Sequence, residues 1–156
     1  MSLMKKNQNN KNNNSADLTK QENFSRWRRE ILRFSDLDQN DHVNNVSFAD
    51  FAQSGRVDLL KAADKILGRE NVSWMLVNVN INFLDEVHFP GEIAIGSAVT
   101  KIGNSSLHIG QGIFVGERCA ATVDNVMVRV DTTSKRPSII SPELRDLFLK
   151  LAPLGA

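Results

Sequence analysis

The densest group of reactive side chains lies within residues 36–42, a stretch that contains three aspartates and one histidine. These residues are Asp36, Asp38, Asp41 and His42. A carboxylate can act as a general base or as a nucleophile, and a nearby imidazole can move a proton or bind a metal ion. The same residue types are common in polar loops that precede a helix, so a purely structural turn is also consistent with the segment.

A calcium-binding loop is one reading of this spacing, because Asp36, Asp38 and Asn40 occupy the first, third and fifth positions of the EF-hand pattern. The later positions do not fit. Asp41 stands where the loop needs a glycine, and Ser47 stands where it needs a bidentate glutamate. The sequence therefore argues against an EF-hand.

A long amphipathic helix is predicted directly after this segment. Apolar or small residues recur every three or four positions, with acidic and basic residues between them. The recurring residues are Phe48, Ala52, Gly55, Leu59, Ala62 and Ile66. Asn44 or Asn45 can cap the first turn, and Gly68 can end the helix in the left-handed conformation.

Most of the remaining chain reads as β-strand. A short strand near a sheet edge is predicted from Trp27 to Asp36, and residues 77–83 alternate apolar side chains with asparagine, which predicts one buried face. Further strands are predicted over residues 92–102, 107–115 and 120–130, separated by short glycine-containing turns that permit only antiparallel neighbours. Ser141 and Pro142 begin a short final helix that runs to about Leu151.

This order predicts an α+β domain with one long helix on a five-stranded antiparallel sheet. One sheet face and one edge strand stay poorly covered in such a layout. Glycines within the predicted strands indicate bends or close backbone approaches. We therefore expect self-association as a dimer or tetramer, with sheets joined edge to edge.

Composition restricts the function classes. The chain has 156 residues, 19 Lys and Arg against 18 Asp and Glu, and a net charge of +1, which gives no strong field toward nucleic acid or a membrane surface. The single cysteine, Cys119, excludes an internal disulfide, and no apolar run approaches the roughly 18 residues of a membrane span. We predict a cytoplasmic protein with a disordered Asn- and Lys-rich tail at 1–22 and a single domain at 23–156.

Residues 34–48, which read FSDLDQNDHVNNVSF, resemble a known signature. It is that of the hot-dog-fold acyl-CoA thioesterases of the 4-hydroxybenzoyl-CoA thioesterase family, roughly Asp-x-Asp-x-x-Gly-His-Val-Asn-Asn-x-x-Tyr, followed by a helix with an Ala-Arg or similar pair, here Gly55-Arg56. Weaker likenesses follow in the family's order at residues 89–92, 102–106, 136–137 and 142–145. The resemblance spans about Arg28 to Leu149 and implies a sheet wrapped around one central helix.

The resemblance implies that the protein hydrolyses an acyl-CoA thioester to a free acid and CoA. Asp38 matches the catalytic carboxylate, as either nucleophile or general base, and the sequence does not choose between these roles. Backbone N–H groups around Val43 to Asn45, at the positive end of the helix dipole, would polarise the carbonyl. His42 and Asn44 match positions that shape the turn or position substrate.

Two departures from the family pattern bear on activity. Asp41 replaces the glycine before the histidine, so an aspartate must adopt a conformation that glycine adopts easily. Phe48 replaces the family's tyrosine and removes a hydroxyl group.

Alternatives stay open at this point. An acyl-carrier-protein thioester is a close variant of the substrate, and a non-catalytic acyl-thioester-binding module is an alternative from another class. An enoyl-thioester hydratase is less favoured, because its motif, Asp-x-Asn-Pro-x-His, places the histidine five residues after the aspartate, whereas Asp38 and His42 are four apart. Asp50, on the polar face of the long helix, is a reserve catalytic candidate.

No metal site and no separate cofactor are predicted. His88 and His108 lie singly in or beside strands, and no ligand set with defined spacing surrounds either of them in the sequence. Cys119 reads as a small packed residue rather than a nucleophile.

Overall fold

The computed structural model describes residues 16–68 and 71–155. In chain order the strands and helices are β1 (Arg26–Ile31), α1 (Asn45–Leu67), β2 (Val72–Phe83), β3 (Glu92–Ile102), β4 (Ser106–Val115), β5 (Arg118–Asp131) and α2 (Pro142–Leu151). Gln21–Asn23 and Phe34–Asp36 each form a single 3-10 turn.

All five strands form one antiparallel sheet in the order β1-β3-β4-β5-β2. The sheet lies against α1, so the α+β class and the hot-dog arrangement predicted from the sequence are confirmed. The main core contains Phe51 and Ala52 from α1, Ile95 and Ile113 from the sheet, and the buried loop residue Val87. A second core joins the end of α1 to α2 through Leu59 and Phe148.

The helix boundaries follow from local chemistry. Asn44 caps α1, because its side-chain oxygen accepts a 2.7 Å hydrogen bond from the backbone N–H of Ser47. Ser141 caps α2 in the same way through the N–H of Leu144. These caps lie where the sequence predicted them. Gly68 follows the last turn of α1 with φ 77° and ψ 171°, so its φ is positive but it does not adopt the left-handed helical conformation that the sequence predicted.

Two strand boundaries differ from the prediction by about five residues, and the others differ by two at most. The first strand ends at Ile31 rather than Asp36, because Phe34–Asp36 turn into a 3-10 helix that leads into the aspartate-rich segment. The second begins at Val72 rather than Val77. A register shift between Leu76 and Asn78 changes the phase of the alternation, so the earlier residues do not continue the Val-Asn pattern.

The predicted buried face of residues 77–83 is wrong for a single chain. Val77, Val79 and Phe83 are 59%, 41% and 40% exposed, and only Ile81 is half-buried. The physical reason is position: β2 is an edge strand, and α1 packs mainly against β1, β3, β4 and α2. α1 reaches only part of β2: the Phe83 ring packs edge-on against Phe48 of α1 with centroids 5.3 Å apart, while Val77 and Val79 stay exposed.

The sheet face away from α1 is partly covered by the N-terminal segment. Leu18 and Phe24 pack with Ala98 and Phe114 on this face. A Cβ atom at Gly112 would lie 2.6 Å from the carbonyl oxygen of Leu18, so glycine is needed for this close approach. The domain therefore extends at least to residue 16, ahead of the predicted tail boundary at 22, because Leu18 has an apolar surface to bury. Residues 1–15 of that tail lie outside the described residues.

Within the described residues, no helix is both long and apolar enough to cross a membrane. The cytoplasmic location stays a prediction.

Candidate active site

The aspartate-rich segment folds into a compact turn that delivers the chain to the start of α1. The backbone N–H of Asp38 donates to the carbonyl of His42 at 2.8 Å, and that of Asn44 donates to the carbonyl of Asp36 at 2.8 Å. Leu37 and Val43 form an antiparallel bridge between these two contacts. The turn is therefore held at its base by backbone hydrogen bonds.

Asp38 lies exposed within this turn. Its Oδ1 atom accepts hydrogen bonds from the N–H of Asn40 at 2.8 Å and from the N–H of His42 at 3.3 Å. Oδ2 has no hydrogen-bond partner in the part of the chain that is described. One carboxylate oxygen thus fixes the side chain, and the other is free to accept a proton or attack an electrophile.

Asp36 has a different role, because its carboxylate is only 2% exposed. It accepts hydrogen bonds from the backbone N–H of Arg33 at 2.8 Å and from the Arg33 guanidinium at 3.0 Å. Burial alone raises the pKa of Asp36, but these hydrogen bonds outweigh burial and hold the pKa below its usual value. Asp36 is therefore a charged anchor of the turn.

Asp41 occupies the position where the resembling family has glycine, and its φ is 60°. The expectation that this aspartate must adopt a left-handed conformation is confirmed. Aspartate tolerates that conformation better than most side chains do. The backbone path of the turn is thus kept although the glycine is replaced.

The sequence predicted that backbone N–H groups around Val43 to Asn45 would be free to polarise a substrate carbonyl, and two of these groups already have acceptors. The N–H of Val43 donates to the carbonyl of Val87 at 2.8 Å, and the N–H of Asn44 donates to Asp36, so neither is available to a substrate. This corrects the expectation for those two residues. The N–H groups of Asn45 and Val46 have no acceptor among the described residues, as first-turn N–H groups commonly do. They are the available donors at this helix end.

His42 is 32% exposed and faces the loop that follows β2. Its Nε2 atom lies 3.5 Å from Oε2 of Glu86, and its ring packs edge-on against His88 with centroids 4.8 Å apart. From the sequence, His88 was predicted to be an isolated histidine without other metal ligands around it. The association with His42 was missed because it depends on a backbone bridge between two segments that are distant in the chain.

The surface around the turn is apolar. Phe34 and Phe89 pack edge-on with ring centroids 6.1 Å apart and are 76% and 41% exposed, and Val46, in the first turn of α1, is 65% exposed. Two cavities, of about 600 and 270 Å³, are lined by other residues, and neither includes Asp38. The turn therefore opens onto an exposed apolar surface of the chain.

A buried polar network supports α1 below the turn. The Arg56 guanidinium donates to the side-chain oxygen of Asn125 at 2.8 Å, and the Asn125 amide donates to Gln111 at 2.8 Å. The Gln111 amide donates back to the carbonyl of Ala52 in α1 at 2.9 Å. A Cβ atom at Gly55 would lie 2.5 Å from the side-chain nitrogen of Gln111, which explains the glycine of the Gly55-Arg56 pair. Burial of the neighbouring Arg56 lowers its pKa.

Other candidates are placed less favourably. Asp50 is exposed on α1 without a hydrogen bond or ion pair among the residues described, whereas Asp58 is paired with Arg26 at 2.8 Å. The Cys119 thiol is half-buried, and burial raises its pKa to about 11, so it is a poor nucleophile at neutral pH. Arg118 is committed to an ion pair with Asp85 at 2.8 Å.

The chain was compared with known protein families and structures. The profile of the thioesterase-like superfamily matches residues 32–148. This match covers most of the chain, including the turn with Asp38, all of α1 and every strand of the sheet except β1.

Individual relatives agree with the profile. The chain is 25% identical over 114 residues to the long-chain acyl-CoA thioesterase FadM of Escherichia coli K12, a match that covers 70% of this chain and 86% of FadM. It superposes on the crystal structure of the PA5185 protein of Pseudomonas aeruginosa with a TM-score of 0.75 and 30% identity, covering 83% of this chain and 93% of that one. The probable thioesterase YbaW of Escherichia coli gives a TM-score of 0.71 at 22% identity, covering 80% and 97% of the two chains.

Proposed function

The chain belongs to the thioesterase-like superfamily and is a thioester hydrolase, and we propose that its substrates are acyl-CoA thioesters. The reaction adds water across the C–S bond and yields a free acid and the CoA thiol. The similarity to FadM, a long-chain acyl-CoA thioesterase, supports CoA as the thiol half of the substrate.

The observation that carries the proposal is the state of Asp38 at the base of α1. Its carboxylate is exposed, is fixed through Oδ1 by two backbone N–H groups, and keeps Oδ2 free. In this proposal Oδ2 either attacks the thioester carbonyl or takes a proton from the water that attacks it. The carbonyl carbon becomes tetrahedral and its oxygen gains negative charge before the C–S bond breaks.

That charge needs hydrogen-bond donors. The free N–H groups of Asn45 and Val46 lie at the positive end of α1, a 23-residue helix. We propose that they donate hydrogen bonds to the oxyanion. Asn44 contributes by capping the helix and so fixing the direction of these N–H groups. His42 contributes to substrate positioning as part of the same turn.

A second copy of the chain completes the site in this proposal. In one protomer, apolar side chains around the turn and on β2 are exposed, and neither of the two cavities described above includes Asp38. Pairing of edge strands in a dimer or tetramer would cover β2 and place the acyl group between protomers.

The test is release of free thiol from a panel of aromatic, short-chain and long-chain acyl-CoAs by the full chain. We expect turnover of at least one member, with the free acid formed in equal amount. Binding without thiol release would contradict hydrolysis of acyl-CoA and support a binding module. Hydration of an enoyl-CoA without thiol release would support a hydratase and equally contradict the proposal.

A further inference from the structure

Three potential metal ligands from two separate segments meet beside the turn. His42 comes from the turn before α1, and Glu86 and His88 come from the loop between β2 and β3. Both imidazoles face the same carboxylate oxygen: Nε2 of His42 lies 3.5 Å from Oε2 of Glu86, and Nε2 of His88 lies 3.6 Å from it.

These separations fit a metal ion. Zinc binds imidazole nitrogen and carboxylate oxygen at about 2.0–2.2 Å with tetrahedral angles, which places neighbouring ligand atoms roughly 3.3 Å apart. The two nitrogen–oxygen separations already lie near that value. No pair of ligand atoms in the group is more than 4.8 Å apart, so small rotations of the side chains bring all three onto one ion.

The backbone beneath these side chains is already fixed. His42 and His88 form an antiparallel backbone bridge, and the N–H of Val43 donates to the carbonyl of Val87 at 2.8 Å. The loop is also held by Arg118, which donates to the carbonyl of Glu86 at 2.8 Å. The site therefore needs no rearrangement of the main chain to bind an ion.

The donors themselves are accessible and uncommitted. The side chains of His42, Glu86 and His88 are 32%, 50% and 61% exposed. Arg118 pairs with Asp85 and leaves the Glu86 carboxylate without a Lys or Arg partner in the described part of the chain. A mixed set of two nitrogens and one oxygen suits zinc and similar transition metals rather than calcium or magnesium.

We propose that His42, Glu86 and His88 bind one divalent transition-metal ion of the zinc type, with the fourth position open to water. The ion ties the turn that carries Asp38 to the loop after β2. The metal site shares His42 with the turn that we propose positions substrate, but no step of the proposed hydrolysis uses the metal.

The test is calorimetric titration of the chelator-treated full chain with Zn²⁺ alone. We expect one ion per chain for the wild type, and at least a tenfold weaker binding constant for both His88→Ala and Glu86→Gln. His108→Gln and Glu117→Gln are the matched controls, because they change a histidine and a carboxylate outside the group, and both should bind like the wild type.

Folding of each variant is checked by its thermal unfolding midpoint without metal. The midpoints of His88→Ala and Glu86→Gln should equal that of the wild type, because these two side chains are exposed. At one Zn²⁺ concentration, the midpoint of the wild type and of both controls should rise by the same amount, and that of His88→Ala should rise by less. The proposal is overturned if the wild type binds no stoichiometric Zn²⁺, or if His88→Ala and Glu86→Gln bind it as tightly as the wild type.

Discussion

At the scale of single residues, three aspartates that look alike in the sequence have three different environments. Asp36 is buried and hydrogen-bonded to Arg33, Asp38 is exposed with one free oxygen, and Asp41 adopts a left-handed backbone conformation. Only Asp38 combines accessibility with a fixed orientation. This distinction, rather than the number of carboxylates, makes Asp38 the candidate for catalysis.

The position of the candidate carboxylate was predictable from the sequence. Which backbone N–H groups are free to donate to the oxyanion was not. The motif around Asp38 and His42 is local, so its residues can be read directly. The availability of an N–H group depends on its acceptor, and the carbonyl of Val87 belongs to a distant loop. The grouping of His42 with His88 was hidden for the same reason.

Replacing Asp36 with asparagine is expected to destabilise the fold by about 2 kcal/mol at pH 7, because charge-assisted hydrogen bonds from Arg33 are lost. The pKa of Asp36 is lowered in the folded state, so its stabilisation is present above the unfolded pKa of about 3.9. It is lost as the pH falls through the folded pKa.

Urea unfolding of wild type and Asp36→Asn at pH 7 and pH 3 measures this difference. Asp146→Asn is the control, since Asp146 is exposed on α2 and has no hydrogen bond or ion pair among the described residues. A gap between wild type and Asp36→Asn that stays the same at both pH values would contradict the assigned role.

At the scale of elements, periodicity predicted α1, capping residues predicted α2, and turn residues predicted most strand boundaries, because each of these signals is local in the sequence. The alternation of apolar residues failed to predict burial in β2, where burial depends on strand register and on the position of α1. The register shift near Val77 changes the alternation of β2, and the exposure of its apolar side chains depends on where α1 lies. Neither fact is encoded in the alternation itself.

The N-terminal segment is an element that the sequence did not indicate. Leu18 packs with Phe24 and Phe114 over Gly112. Leu18→Asp is expected to lower stability by about 2 kcal/mol, through loss of apolar contacts and burial of a charge, which corresponds to a fall of roughly 5 °C in Tm.

Thermal unfolding followed by circular dichroism tests this role of Leu18. The control is Ser25→Asp, which changes the net charge by the same amount at a nearby exposed position. If both variants melt at the same temperature, the segment does not contribute to the domain in the way described.

At the scale of the whole molecule, one protomer leaves an apolar edge uncovered. Three apolar side chains of β2 are each about 40% exposed, although the residues of β5 that pair with them face the core. They are Leu76, Val79 and Phe83. The expectation of self-association rests on this edge, and the sequence could predict only that an edge would remain.

Val79→Asp is expected to convert an oligomer into monomers, because it places a charge on the apolar face of β2 that pairing would bury. Light scattering coupled to size-exclusion chromatography measures the mass in solution. Asn78→Asp, on the opposite face of the same strand, should keep the wild-type mass. A monomeric wild type, or an unchanged mass for Val79→Asp, would contradict this interface.

The most direct test of the central claim is the rate of acyl-CoA hydrolysis by Asp38→Asn relative to wild type, at equal concentrations of folded protein. Asp50→Asn is the matched control, since it removes the same charge from an exposed position on α1. If Asp38 is the catalytic carboxylate, Asp38→Asn loses a hundredfold or more of the kcat, which is typical of removing a base or nucleophile, and Asp50→Asn stays within a fewfold of wild type. Retention of the wild-type kcat by Asp38→Asn, or an equal loss in Asp50→Asn, would contradict the assignment.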